Sequence, residues 1–522
     1  MDKVVMTNKA TTSLKPWLVP FVASAADIID AAVSDVRMDS RDICLGDVFV
    51  AIKGLSQDGI NYIGAAINKG AVAVLVDVDD LVRAQSHAGS KAVQVIGIEQ
   101  LCQRFAHLLA AFYPAANDNK IIGITGTNGK TTTAQLIAQL AGHQRQRVSV
   151  IGTLGVGFLD ALQEHPNTTP GIADNYRLLD SFNREGSDYV AMEVTSQGLA
   201  QGRVSGIDYG CVVFTNLTQD HLDYHGDLDT YTAAKKQLFE QNPAATTILN
   251  CDDPVGASWF KQWRSTRKLI AVGSYDAQYT DNLHVMFKAI DYTSQGLEFT
   301  LVSSWGEARV KSPLYGRFNL NNLVTAIAVL LSDGEQSTDD EQLSELVEAV
   351  THIEAIPGRM EQFSHFVEDN ADSDKQAIVA VVDFAHTPDA LAQTLLALRE
   401  HTNGKLWCIF GCGGDRDKSK RPLMGQMAKQ YADHIVLTND NPRHEVPEQI
   451  VIDIQNGLAN PDDAQVELDR KVAISNTLAK ASPGDVILIA GKGHETYQVF
   501  GDQKTDYDER VFVAQCIGEL ST

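Results

Sequence analysis

The chain is predicted to be an α/β protein of three domains, and three observations predict it. Short apolar runs of strand length alternate with amphipathic stretches at helical spacing along the whole sequence. Several of those runs are near-continuously apolar, notably Val190–Val194 and Cys211–Leu217, as in parallel sheets covered on both faces. At 522 residues there is length for about three domains.

Composition narrows the function classes. The formal net charge is −24, which argues against a general nucleic-acid binder, whose footprint would be basic. Seven cysteines are scattered, odd in number and without a Cys-x-x-Cys pair, so reduced and mostly buried thiols are expected. No apolar run is long enough to span a bilayer, so no membrane insertion is expected. Trp17–Ala25 is apolar but short and flanked or broken by Pro16 and Pro20, a poor signal peptide. A cytoplasmic location and a monomer are the expectations.

In chain order, Asp47–Ile52 reads as a strand, Tyr62–Lys69 as a helix and Ala71–Val76 as a strand, making a small N-terminal α/β domain over 1–98. Residues 99–113 form an amphipathic helix that opens the central domain, 99–356. There the apolar run Ile121, Ile122, Ile124 leads into Gly126-Thr127-Asn128-Gly129-Lys130-Thr131-Thr132 and a helical stripe of Leu136, Ile137 and Leu140. Strand, glycine turn and Lys-Thr at a helix start form a phosphate cradle, in which backbone N–H groups and the helix dipole face the anion. Lys130 adds a point charge, and the Thr131 hydroxyl can hold magnesium. The usual loop has a glycine five residues before Gly129, and that position is Ile124, so this turn is shorter. ATP is the expected nucleotide, on a P-loop ATPase-like, mainly parallel central sheet. Asp333–Glu341 is acidic and reads as an exposed connection, and Pro357–Gly358 as the hinge to a Rossmann-like C-terminal domain, 357–522. Its strands are Ile378–Val382, Leu406–Phe410, His434–Thr438 and Val486–Ala490.

Ligands of open α/β sheets sit beyond the carboxyl ends of strands. One central strand ends in Glu193, and Cys211–Thr215 runs into Asn216–His225; Glu193 and His221 are placed to reach a magnesium beside Thr131. The alternative is that Asp220, His221 and Asp223 cap the next helix. On the helix Thr230–Phe239, Lys235 shares a face with Tyr231, Leu238 and Phe239, whereas Lys236 turns away. A desolvated, reactive lysine and a lysine snorkelling over apolar surface both fit that spacing. Thr387 fits a helix N-cap and Pro388 the first helical position. Gly411–Asp417 half resembles a dinucleotide fingerprint, but Arg416 replaces the third glycine, which excludes NAD. Arg416, Asp440, Arg443 and Glu495 are expected at one rim, suited to an amino acid with an extra carboxylate and amine or, alternatively, to a structural ion-pair network.

Together these residues resemble the Mur ligases, the ATP-dependent amide ligases of peptidoglycan synthesis, over essentially the whole chain. The resemblance suggests in particular the branch that adds meso-diaminopimelate to UDP-N-acetylmuramoyl-L-alanyl-D-glutamate. The resemblance implies a phosphate loop at Gly126–Thr132, with Lys130 catalytic, and a carbamylated Lys235. It implies magnesium on Thr131, Glu193, His221 and the Lys235 carbamate, and ATP-side asparagines Asn319 and Asn322 in the pattern Gly316–Asn322. The UDP-sugar peptide would contact Met38, Ser40, Leu55, Ser56 and Gln57 in the N-terminal domain. In the central domain it would contact Asn167, Thr168, Thr169, Thr195, Gln201 and Arg203. Diaminopimelate would contact Asp440, Asn441, Pro442 and Arg443, with Arg416, Gly491 and Glu495 completing the pocket. Two positions depart from the family pattern: Gln197 stands where a histidine is common, and Phe384 where a tyrosine is. A lysine-adding or folylpolyglutamate-type ligase is the alternative within the class, and a nucleotide-switched ATPase the alternative outside it.

Overall fold

The computed structural model describes residues 11–54, 57–89, 93–218, 220, 222–293, 296–333, 340–366, 377–402 and 404–519. The chain forms two compact units: one of Met1–Thr125, Gln146–Val212 and His221–Ala245, the other of Gly126–Arg145, Val213–Asp220 and Thr246–Thr522.

In the first unit, Val36–Arg37, Val48–Val50, Ala73–Asp77 and Gln94–Ile98 pair in that order, all parallel. Phe49, Val74 and Val76 pack on Ile63, Ala66 and Ile67 of the helix Ile63–Asn68. A second sheet in this unit places Tyr189–Glu193 between Lys120–Thr125 and Val148–Gly152, both parallel to it, with Gly155–Phe158 antiparallel at the rim. All five residues of Tyr189–Glu193 are buried, which is why that run is apolar up to its final carboxylate.

Two larger sheets lie in the second unit. In the first, Thr246–Asn250, Leu269–Ser274 and Leu283–Thr293 are parallel, and Gly296–Ser303 and Gly306–Ser312 continue it as an antiparallel meander. The six-stranded second sheet runs Glu361–Phe366, Ala377–Asp383, Val486–Ala490, Leu406–Phe410, His434–Leu437, Ala464–Val466, antiparallel only at its first pair. Alternate residues of its strands feed opposite cores: Val381, Cys408, Leu437 and Leu488 on one face, Val382, Ile409, Val436 and Ile489 on the other. Both faces being covered explains runs that are apolar without interruption. The helix Pro388–Glu400 starts as its sequence predicts: the Thr387 hydroxyl accepts the Ala390 N–H and Pro388 occupies the first turn.

Three features depart from the sequence-based expectation. The meander over 283–312 has half-exposed alternating strands. The hairpin Tyr497–Phe500/Gln503–Asp506 is almost wholly outside the core, so neither carries a strong apolar signal. The acidic stretch read as a connection already enters the helix Asp340–Val350, and 334–339 lie outside the described residues.

Candidate active site

The phosphate loop is built by close packing within the second unit. Gly126 has φ +154°, and a Cβ there would lie 1.9 Å from the Thr215 hydroxyl; Gly129 has φ +84°, and a Cβ would lie 2.4 Å from Asn322 Oδ1. Only glycine meets both demands. The residues after Phe214 clamp the loop: Thr215 Oγ1 donates to the Asn128 carbonyl (2.6 Å), Asn216 accepts from the Asn128 N–H (2.9 Å), and Thr127 N–H reaches the Asn216 carbonyl (2.9 Å). Lys130 opens the helix Lys130–His143, and its ammonium arches back to the Gly126 and Thr127 carbonyls, both at 2.8 Å. Thr131 and Thr132 follow, buried, at the helix N-terminus, where unpaired N–H groups attract anions.

Beside the loop lies a cavity of about 420 Å³, lined by Asn128, Gly129, Thr132, Asn319, Asn322 and Asp383, among others. Asn319 and Asn322 are buried and linked, the Asn322 amide donating to Asn319 Oδ1 at 3.3 Å. Among the cavity residues not singled out as site residues from sequence are Arg359, Asp383 and His386. Burial raises the Asp383 carboxyl above its usual range against the opposing pull of Arg359. It accepts N–H bonds from Met360 and Ala385, each at 2.8 Å. Desolvation by the surrounding cavity wall, then Lys420, holds the His386 imidazole below its usual value, although the ring keeps an exposed edge. Their position at strand and loop ends was the available signal.

In the first unit, Glu193 is 1% exposed and is held by Thr153, whose N–H (2.8 Å) and hydroxyl (3.2 Å) donate to it. Gly152 makes room: a Cβ there would lie 2.2 Å from Glu193 Oε1. Lys235 is 1% exposed, with its ammonium 4.3 Å from the Tyr231 ring centre, whereas Lys236 is partly exposed and pairs with Glu240 at 3.2 Å. The face predicted to be packed is the packed one. His221 lies outside the described residues, as do Leu55 and Ser56. The long helix Leu228–Gln241 that follows is capped by Asp227, whose carboxylate accepts the Thr230 N–H at 2.7 Å. Thr169 hydrogen bonds to the Glu193 carbonyl (2.8 Å) and the Thr195 hydroxyl (3.0 Å). Arg203 grips Gln201 Oε1 through two nitrogens and donates to the Thr169 carbonyl. Thr168 meets Thr153 at 3.1 Å, Asn167 and Met38 are exposed, Ser40 is buried, and Gln57 accepts from Tyr62. At the departure Gln197, the side-chain oxygen accepts from Ser196, whose hydroxyl also meets His225 Nε2 at 2.9 Å.

The predicted rim converges in the second unit. Arg443 has φ +52°, donates its N–H to the Val499 carbonyl and its guanidinium to the Gly414 carbonyl at 2.7 Å. A Cβ on Gly413 would touch Arg443 Nη1 (2.9 Å) and Arg416 Cγ (3.7 Å), so both arginines meet at that glycine. Asp440 crowds Gly491, whose Cβ would lie 2.6 Å from its carboxylate, and Pro442 is buried. Asn441 donates to Glu495 Oε2 at 2.9 Å. From beneath, fully buried Arg421 bonds Glu445, Asp453 and the Gly413 carbonyl, locking the two loops together.

Residues 32–113 match the Mur ligase family catalytic domain, 124–330 the Mur ligase middle domain, and 358–493 the Mur ligase glutamate ligase domain. A solved UDP-N-acetylmuramoyl-L-alanyl-D-glutamate–2,6-diaminopimelate ligase is 33% identical. That match covers 98% of this chain and 100% of the other, with a TM-score of 0.66. The chain belongs to the Mur ligase family. Two more distant structures share the fold. The MurF ligase of Thermotoga maritima in complex with ADP is 17% identical over 94% of this chain and 97% of its own, with a TM-score of 0.59. The Mycobacterium tuberculosis folylpolyglutamate synthase complexed with ADP is 18% identical over 74% and 91%, with a TM-score of 0.56. This Mur ligase thus has the mixed α/β architecture and family domains that its sequence predicts. Among its described residues no helix is long and apolar enough to cross a membrane.

Proposed function

We propose that this Mur ligase joins meso-diaminopimelate to the D-glutamate side-chain carboxylate of UDP-N-acetylmuramoyl-L-alanyl-D-glutamate, forming ADP and phosphate, in peptidoglycan synthesis. The observation that carries the reading is the mixed-charge rim, where Arg443 and Arg416 meet at Gly413 while Glu495 accepts from Asn441, two residues before Arg443. An amino acid with both an extra carboxylate and an extra amine matches that pair of signs. Lysine would leave Arg443 without its partner, a costly mismatch in a closed site.

The carboxylate oxygen of the dipeptide attacks the γ-phosphorus of ATP, the bond to the β-phosphate oxygen breaks, and ADP leaves with the electron pair. The amine of diaminopimelate, deprotonated, then attacks the acyl carbon of the resulting acyl phosphate. The tetrahedral adduct collapses, the C–O bond to phosphate breaks, and the amine proton passes to solvent. Gly126–Thr132 would hold the phosphates, with Lys130 offsetting charge on the transferring group. Asn319 and Asn322 would border the nucleoside. Residues 1–98 would bind the UDP-sugar, 99–356 ATP and 357–522 the amino acid. The UDP-peptide would rest on Met38, Ser40, Leu55–Gln57, Asn167–Thr169, Thr195, Gln201 and Arg203.

Magnesium would be held by Thr131, Glu193, His221 and a carbamate on Lys235. A buried hydroxyl, a buried carboxylate and carbamate oxygens are hard donors that suit this ion. When bound, magnesium neutralises phosphate charge. ATP and a UDP-linked peptide as substrates fit a cytoplasmic enzyme, and a monomer is the state proposed for it.

Phosphate release with the UDP-dipeptide, measured with meso-diaminopimelate, with lysine and with no amino acid, tests the reading. Turnover should depend on diaminopimelate. Comparable turnover without amino acid would overturn it, and a preference for lysine would move the chain to another branch of the family.

A further inference from the structure

Lys492 is 0% exposed, yet it lies in a loop between the strand Val486–Ala490 and the hairpin, where a lysine is normally solvated. Its ammonium has two polar partners, Glu495 Oε2 at 3.0 Å and Asn441 Oδ1 at 3.2 Å, and lies 5.5 Å from the Tyr497 ring centre. The Asn441 amide donates to the same Glu495 oxygen at 2.9 Å and accepts the Val499 N–H at 3.0 Å. Both donors to the Glu495 side chain therefore fall on Oε2, and among the described residues none falls on Oε1. A carboxylate gripped through one oxygen is fixed in orientation and presents the other.

We propose that Lys492 is a positioning residue that sets selectivity for the second amine of the amino-acid substrate, by locking Glu495 and Asn441 so that Glu495 Oε1 faces the pocket. This rests on the ligase reading above. The division of labour is explicit. Arg443 and Arg416 select the extra carboxylate; the Lys492–Asn441–Glu495 triangle selects the extra ammonium. Lys492 itself touches no substrate. Its ammonium and the Asn441 amide both hold Glu495 Oε2, so the remaining oxygen keeps a fixed direction. Without it, Asn441 Oδ1 keeps only the Val499 N–H and Glu495 keeps one neutral donor, so the acceptor for the ligand amine loses its fixed direction.

The test uses full-length Lys492→Met and Lys492→Gln and three amino acids: meso-diaminopimelate, 2-aminopimelate, which lacks the second amine, and lysine, which lacks the second carboxylate. Wild-type turnover with diaminopimelate comes first, and its absence would fail the ligase reading, not this inference. In the variants, the kcat/KM preference for diaminopimelate over 2-aminopimelate should fall by about tenfold or more. The preference over lysine, and KM for ATP, should hold within about twofold. A uniform loss against all three amino acids, an unchanged preference over 2-aminopimelate, or failure of both variants to fold would overturn the proposal and leave Lys492 a purely structural lysine.

Discussion

Gly129 and Asn322 are in such close contact that a single methyl group on the glycine would lie 2.4 Å from the asparagine's side-chain oxygen. The contact ties the turn of the phosphate loop to the helix Arg317–Ser332, so the loop and the proposed nucleoside-side asparagines hold one another in place.

Gly129→Ala combines that collision with a left-handed φ, a strain on the order of 1–3 kcal/mol. ADP affinity, measured by calorimetry, should fall at least tenfold. Gly142→Ala, where a Cβ meets nothing within 4 Å on the same helix, should bind ADP as the wild type does.

Lys235→Ala should abolish ligase turnover, with partial return on adding short carboxylates that replace the carbamate oxygens. Lys236→Ala removes only a half-exposed pair with Glu240 and should change turnover less than about twofold. Steady-state phosphate release separates the two, and full activity in Lys235→Ala would remove the carbamate.

Arg443→Lys keeps a charge but loses the planar fork that grips the Gly414 carbonyl and would grip a carboxylate. KM for diaminopimelate should rise about tenfold to a hundredfold while KM for ATP stays put. An unchanged KM for the amino acid would detach Arg443 from the pocket.

The hydrogen bond from Arg421 holds the Glu445 carboxyl at about 2, below its ordinary 4.5. A lowered carboxylate value contributes stability that is present above pH 4.5 and lost as pH falls toward 2. His494 sits at about 4, pushed down by burial, then by Arg359 and Arg510. The folded state resists protonating this ring while the unfolded chain accepts the proton, so stability falls between pH 6.5 and 4. Denaturant titrations should therefore show Glu445→Gln flattening the curve below pH 4.5 and His494→Gln flattening it between 6.5 and 4.

Much of this was legible in the chain. Leu406–Phe410 and Val486–Ala490 were bounded to the residue because their apolar runs end at polar loops. That Lys235 lies on the packed face followed from helical spacing, since one-residue shifts on a helix change the face, whereas spacing left open whether its ammonium is buried or snorkels to solvent. Lys492 and Arg421 were not legible as buried. Each is hidden by partners distant in sequence or by a loop with no periodicity, and burial of a charge depends on those partners. Arg359 and Asp383 were visible in their motifs, but only the assembled cavity shows that they face it. The fate of His221 rests on a position outside the described residues.

Arg443 carries its side chain on a left-handed backbone, a conformation that disfavours every residue except glycine and, less so, asparagine. Arg443→Gly would therefore erase the proposed carboxylate partner and relax the main chain in one step. Selectivity for the amino acid is then separable from foldability. The relief of the main chain is set against the lost hydrogen bond to the Gly414 carbonyl, so the net change in stability is small beside the change in which amino acid the site accepts.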